Sequence, residues 1–142
     1  MTYPLTAYHF KVEWGGARIG FTEVSGLEQA VQPVLYREGS SASYAPMVIP
    51  GLPGFENIVL KRGMMANDNE FFDWIDTIRL NQVERRDVTI SLLNAEHDPG
   101  VVWKVRNAWP VRLQGPLLDA TRNAVAIELL ELAHEGLRVE VL

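Results

Sequence analysis

The chain has no cysteine, which excludes a disulfide framework and thiolate metal sites and fits assembly in a reducing cytoplasm. It has no block of basic residues either. Its 13 Lys and Arg stand against 18 Asp and Glu, a net charge of -5, and Lys61, Arg62 and Arg85, Arg86 are only pairs. Specific nucleic-acid binding is therefore not expected, because it needs cations clustered on one face. No apolar run approaches the roughly 20 residues of a membrane span. The opening M-T-Y-P-L-T-A-Y-H-F-K lacks a basic leader followed by an apolar core, so the expectation is a chain that is soluble when made and has no signal peptide of its own. What the sequence does have is apolar content: 47% of 142 residues, enough for one core and one domain over residues 1–142.

Much of that content alternates with polar residues, the mark of strands with one buried face. Tyr8, Phe10, Val12 and Trp14 alternate with His9, Lys11 and Glu13. Gly15-Gly16 then reads as a hairpin turn, with a return strand over residues 18–24. A less regular strand is expected over residues 30–38. Residues 58–62 put Ile58 and Leu60 on one face and Val59 and Lys61 on the other, and residues 87–93 oppose Val88, Ile90 and Leu92 to Thr89 and Ser91. Further strand follows over residues 101–113, with Pro110 marking a bend or an edge. The segment from residue 123 to the C-terminus is ambiguous, since its Ala, Glu and Leu favour helix while Val125, Ile127 and Leu129 fit alternation.

Two stretches break the strand pattern. Past Gly63, Asn67 or Asp68 is placed to cap a helix with Glu70 as a capping-box partner, and Phe71, Trp74, Ile75 and Ile78 follow at helical spacing. This predicts an amphipathic helix over residues 69–80 whose stripe packs on the sheets, with Asp73, Asp76 and Arg79 facing outward. Residues 39–55 carry three prolines and no sustained periodicity, so they read as a long extended loop. Tyr44, Met47, Val48, Ile49 and Leu52 make it too apolar for a solvated tether, which points to a docking loop. The fold class is thus mainly β, an antiparallel barrel or two packed sheets with one flanking helix.

No catalytic constellation emerges. His97 lies in the turn E-H-D-P-G, but neighbours on a turn make a poor metal cage without further ligands. His134-Glu135 lacks the second histidine of a zinc-protease helix, and no nucleophile elbow or phosphate-binding loop is present. Three of the four tryptophans fall on apolar faces, where core packing is their role. No catalytic residue, cofactor or metal is assigned.

The segments taken together resemble a known family. Y-P-L-T-A-Y-H-F-K-V-E-W-G-G at 3–16, G-F-T-E-V-S-G-L at 20–27, Y-R-E-G at 36–39 and P-G-L at 50–52 are similar to tube subunits of contractile phage tails, as are L-K-R-G at 60–63 and V-E-R-R-D at 83–87. W-K-V-R-N-A-W-P at 103–110 and E-L-A-H-E-G-L at 131–137 extend the likeness over nearly the whole chain. It is nearest to the tube proteins of phage-tail-like extracellular contractile injection systems, with the type VI secretion tube protein a distant cousin by fold.

The resemblance implies a structural subunit rather than an enzyme. Homo-hexameric rings would stack into a hollow tube, a sheath protein would surround it and drive it into a target cell, and baseplate and terminator or cap proteins would close its ends. The lumen would carry effector cargo, and the particle would assemble in the bacterial cytoplasm. The resemblance also implies that the C-terminal segment is a strand. For ring-to-ring contact the candidates are Ser43, Tyr44, Met47, Val48, Ile49, Leu52 and Phe55; Thr89 and Ser91 are candidates for a luminal or exposed strand face. An alternative is a ring-forming binding module or chaperone for effector cargo, and an enzyme using a carboxylate or His97 is a third reading.

Overall fold

The computed structural model describes residues 3–16, 20–40, 42, 44–79 and 82–142. Among them run strands β1 (Phe10–Glu13), β2 (Phe21–Ser25), β3 (Gln29–Tyr36), β4 (Met47–Phe55) and β5 (Ile58–Gly63), then helix α1 (Glu70–Ile75). Strands β6 (Arg86–Leu93), β7 (Pro99–Gln114), β8 (Ile127–Ala133) and β9 (Gly136–Val141) complete the order. All the strand pairings are antiparallel.

Strand β7 organises the fold because its 16 residues belong to two sheets. Its first half lies between β6 and β9, and its second half pairs with β8, which continues to β5 and β2. The change of sheet falls at a bulge where Val105 and Ala108 face Val88 and Arg86. Asn107 sits there at φ 52°, a left-handed conformation that asparagine tolerates better than most residues. The Asp87 carboxylate accepts its backbone N–H at 3.0 Å, and its side-chain amide donates to Glu135 at 2.9 Å.

The sheets enclose a core of Val12, Trp14, Ile58, Leu60, Val88, Ile90, Leu130 and Leu132, with Phe71 and Trp74 brought in by the helix. Two packed sheets are therefore present, but the barrel expected from the sequence does not close. The strand path ends at β1 on one side and β2 on the other, and these are not paired among the described residues. The hairpin expected at Gly15-Gly16 is likewise replaced by a crossover, since β1 joins β6 and β2 joins β5. Trp14, buried edge-on to Phe71 at 5.0 Å and to Phe21 at 6.3 Å, anchors the end of β1 in the core, where the sequence pattern alone suggested a turn. The expected return strand begins at residue 21, and residues 17–19 lie outside the described residues.

The helix is shorter than the predicted 69–80, of which residue 80 lies outside the described residues. Glu70–Ile75 is helical, after which Thr77 and Ile78 bond back three residues, to Trp74 and Ile75, tightening the last turn. The Thr77 hydroxyl also donates to the Trp74 carbonyl at 2.7 Å, and the Arg79 guanidinium donates to the Asp76 and Ile78 carbonyls. These side chains satisfy the terminal acceptors and leave no register for continuation. At the other end the N-cap is Asn69, without a side-chain cap bond, and Glu70 is the first helical residue rather than a capping-box partner. Asp68 supplies the acceptor instead, taking the Glu70 N–H at 3.1 Å.

The loop expected over residues 39–55 is mostly strand: Met47–Phe55 pairs with Gln29–Tyr36 as a two-stranded ribbon. Its prolines sit where the ladder slips, with Pro33 opposite Pro50 beside the register shift, and a ribbon with two outer edges tolerates missing donors. The C-terminal segment is strand, as β8 and β9, against its helix propensity.

Gly26 lies at φ 88°, and a Cβ there would come within 2.0 Å of the Asn57 carbonyl oxygen, whereas Gly20 has open space. Gly26→Ala is expected to destabilise the fold by at least about 2 kcal/mol through backbone strain and the clash. Gly20→Ala, its control, should stay within about 0.5 kcal/mol of the parent in urea unfolding.

Candidate assembly surfaces

Alternation along β5 places Ile58, Leu60 and Arg62 inward, and along β8 it places Glu128, Leu130 and Leu132 inward. Arg62 and Glu128 are direct cross-strand partners, so a cation and an anion enter the core side by side. Arg62 is 1% exposed. Its Nε donates to Glu128 Oε1 at 2.5 Å and its Nη2 to Asp68 Oδ1 at 3.2 Å, while the guanidinium stacks 3.8 Å from the centre of the Phe71 ring. Because Asp68 also receives the first helical N–H, this buried cation ties β5, β8 and α1 together. Among the described residues no buried side-chain nitrogen or oxygen lacks a hydrogen-bond partner, as a cross-link within the core requires.

The helical stripe divides. Phe71 and Trp74 are buried, Trp74 donating its indole N–H to the Glu84 carbonyl at 2.8 Å; Ile75 is half-buried and Ile78 exposed. Of the strand-face candidates, Thr89 is half-buried and Ser91 is itself buried. Register puts Thr89 in one row with Glu13, Lys104 and Arg138, and Ser91 in the next with Lys11, Val102 and Glu140. Apart from Val102 this face is polar, with Lys11, Lys104 and Arg138 against Glu13 and Glu140; Lys104 is 3.3 Å from Glu140 and Lys11 3.6 Å from Glu13.

The β3–β4 ribbon has the opposite character. Tyr44, at its tip, is 92% exposed beside Arg37, and Leu52 is 87% exposed; Met47, Val48 and Ile49 also face solvent. Phe55 is half-buried at the root against the His134 ring, and Ser43 lies outside the described residues. The sequence reading missed half of this surface. Val31, Val34, Leu35 and Tyr36 on β3 are exposed too, with Leu35 opposite Val48 and Tyr36 opposite Met47. The available signal was a run of β-branched and aromatic residues on both sides of a glycine-serine turn.

A second apolar patch, also unanticipated, comprises Leu117, Leu118 and Val125 on the 115–126 segment. Met64 joins it by donating its N–H to the Ala126 carbonyl. Within that segment the Thr121 backbone N–H and hydroxyl hold the Asp119 carboxyl below the usual carboxylate range. Stability from this turn is therefore full above the ordinary aspartate range and is lost as the pH falls through the lowered folded value. Finally, β1, β2 and β9 each leave one edge unpaired among the described residues, and Val139 and Val141 on β9 are exposed.

The fold is shared with chains of solved contractile particles. The chain is 36% identical, over 99% of its length and 93% of the other, to one in the PVC sheath-tube complex of an extracellular contractile injection system, with a TM-score of 0.90. A chain in the anti-feeding prophage tube-terminating cap structure is 34% identical, over 100% and 94% of the two lengths, with a TM-score of 0.91. Hcp1 from Flavobacterium johnsoniae is only 14% identical over 93% and 94%, and its TM-score of 0.61 marks a common fold. No curated protein sequence matches the chain. By class, then, this is a tube protein of contractile injection systems. It belongs to the family of the T4-like virus tail tube protein gp19, whose family model matches residues 6–138.

Replacing Arg62 alone, as Arg62→Met, strands Glu128 in the core and is expected to cost about 3–5 kcal/mol. The double replacement Arg62→Met with Glu128→Leu should recover a large part of that loss, since it removes the orphaned charge. Urea denaturation of the single and double variants measures the difference.

Proposed function

We propose that the chain is the structural subunit of the inner tube, with six copies closing a ring and rings stacking around a lumen that carries cargo. A closed ring needs a heterologous contact, one patch meeting a different patch on the neighbour. The unpaired edges of β1, β2 and β9 supply such patches through strand addition. The observation that carries the reading is the β3–β4 ribbon, because apolar side chains on both its strands are exposed in the isolated chain and need a partner. Tyr44, Met47, Val48, Ile49 and Leu52 then make the ring-to-ring contact, together with Leu35 and Tyr36 beside them.

The polar face carrying Glu13, Thr89, Lys104 and Arg138 suits the lumen, since its acids are each paired with a base and leave only a modest positive excess facing passing cargo. A sheath, a cap and a baseplate complete the particle; the similar chains come from structures of a sheath-tube complex, a terminating cap and a baseplate. Assembly takes place in the bacterial cytoplasm, and the subunit performs no turnover of its own.

Negative-stain microscopy of purified chain, alone and with its sheath and baseplate, tests this. Rings and tubes are expected for the parent. Leu35→Ser with Val48→Ser should remain folded, within about 0.5 kcal/mol of the parent, but yield short or no tubes. Unchanged tube length in that variant removes the ribbon from the contact, and a parent that stays strictly monomeric beside sheath and baseplate overturns the tube subunit itself.

A further inference from the structure

The sequence reading set His97 aside as a metal ligand because its turn offers no companion. The fold supplies one from 88 residues away. His9, just before β1, is held by its carbonyl, which accepts the Leu93 N–H at 2.9 Å. His97 is held by the turn after β6: its N–H donates to the Asn94 carbonyl at 3.0 Å, and the Asn94 side chain accepts the N–H groups of Glu96 and Asp98. The two imidazoles meet with His9 Nε2 2.9 Å from His97 Nδ1, ring planes at 82° and ring centroids 4.4 Å apart.

Two arrangements can be set against these distances. A straight hydrogen bond, the preferred geometry, would put the ring centroids about 5.2 Å apart at this nitrogen separation. An ion about 2.05 Å from each nitrogen and on both lone-pair axes would see them at roughly a right angle, with the centroids about 4.5 Å apart. The observed 4.4 Å is too short for a straight hydrogen bond and matches the separation that two rings sharing one ion would have. Neutral rings carrying their protons on His9 Nδ1 and His97 Nε2 leave both facing lone pairs free for coordination.

We propose that His9 and His97 bind a divalent transition-metal ion of the tetragonal type, copper(II) or nickel(II). A right angle between ligands belongs to square-planar and octahedral ions; tetrahedral zinc would want the nitrogens about 3.3 Å apart. No group of three or more His, Cys, Asp or Glu gathers here among the described residues, so water completes the coordination. The acidic Glu96 and Asp98 of the same turn add a field that favours a cation. Bound there, the ion fastens the segment leading into β1 to the β6–β7 turn.

The third histidine is the internal control. His134 has Nε2 2.9 Å from the Glu56 carbonyl oxygen, and its Nδ1 accepts the Gly136 N–H at 3.2 Å, so neither nitrogen is free. Copper(II) titrated into the purified full chain and followed by electron paramagnetic resonance should give one ion per chain, with hyperfine splitting from two imidazole nitrogens. His9→Gln and His97→Asn, the latter chosen because asparagine tolerates the φ of 65° at that position, should each weaken binding at least about tenfold. His134→Gln should leave it unchanged. In the parent protein, nickel(II) should perturb the ring signals of His9 and His97 in NMR spectra and spare those of His134. Binding undiminished in both His9 and His97 variants, or ring signals of His9 and His97 untouched in the parent, overturns the site.

Discussion

The buried Arg62–Glu128 pair is the constraint on which the rest of the structure depends. Two strands distant in sequence are locked in one register by it, because a slip of one residue would turn both charges to opposite faces. The same cation reaches Asp68 and stacks on Phe71, so it also fixes where the chain leaves the sheet and where the helix begins. Taking two ions from water is costly, and here the cost is offset by short charge-assisted bonds and an aromatic face. Hydrophobic burial around them is larger in total, but it is non-directional and does not by itself choose a register.

Trp14 sets the second constraint. Its indole packs with Phe21 and Phe71 in the core, while β1 and β2 pair with different strands and each keeps one edge unpaired among the described residues. The bulge at Asn107 then lets a single strand serve both sheets, so the two halves of the molecule share a covalent spine. Openness at the seam and continuity through β7 are complementary: one exposes backbone groups for neighbours while the other keeps the subunit from splaying.

Much of this was legible in the sequence. Alternation located β1, β5, β6 and the start of β7, and the spacing of Phe71 and Trp74 identified the face the helix buries. The errors have identifiable causes. Arg62 and Glu128 were overlooked because hydrophobicity marks inward positions by apolar residues, although the period of two runs straight through both. Gly15-Gly16 has the composition of a hairpin, but composition does not register that the flanking strands pair with β6 and β5 instead of each other. Residues 47–55 looked irregular because prolines and glycines mask a strand that has no central ladder to satisfy. The helix ended early because Thr77 and Arg79 reach back to carbonyls, which propensity does not register. The pairing of His9 with His97 was beyond local pattern altogether, since it follows from the β1–β6 register.

The prolines of the β3–β4 ribbon have a consequence for life before assembly. An apolar ribbon with two open edges is a template for runaway fibril growth, in which each added chain presents a fresh edge to the next. Pro33, Pro50 and Pro53 delete three amide donors from it. With fewer donors to offer, the ribbon is a poorer template for backbone stacking between free subunits, and recognition of its surface falls to the side chains.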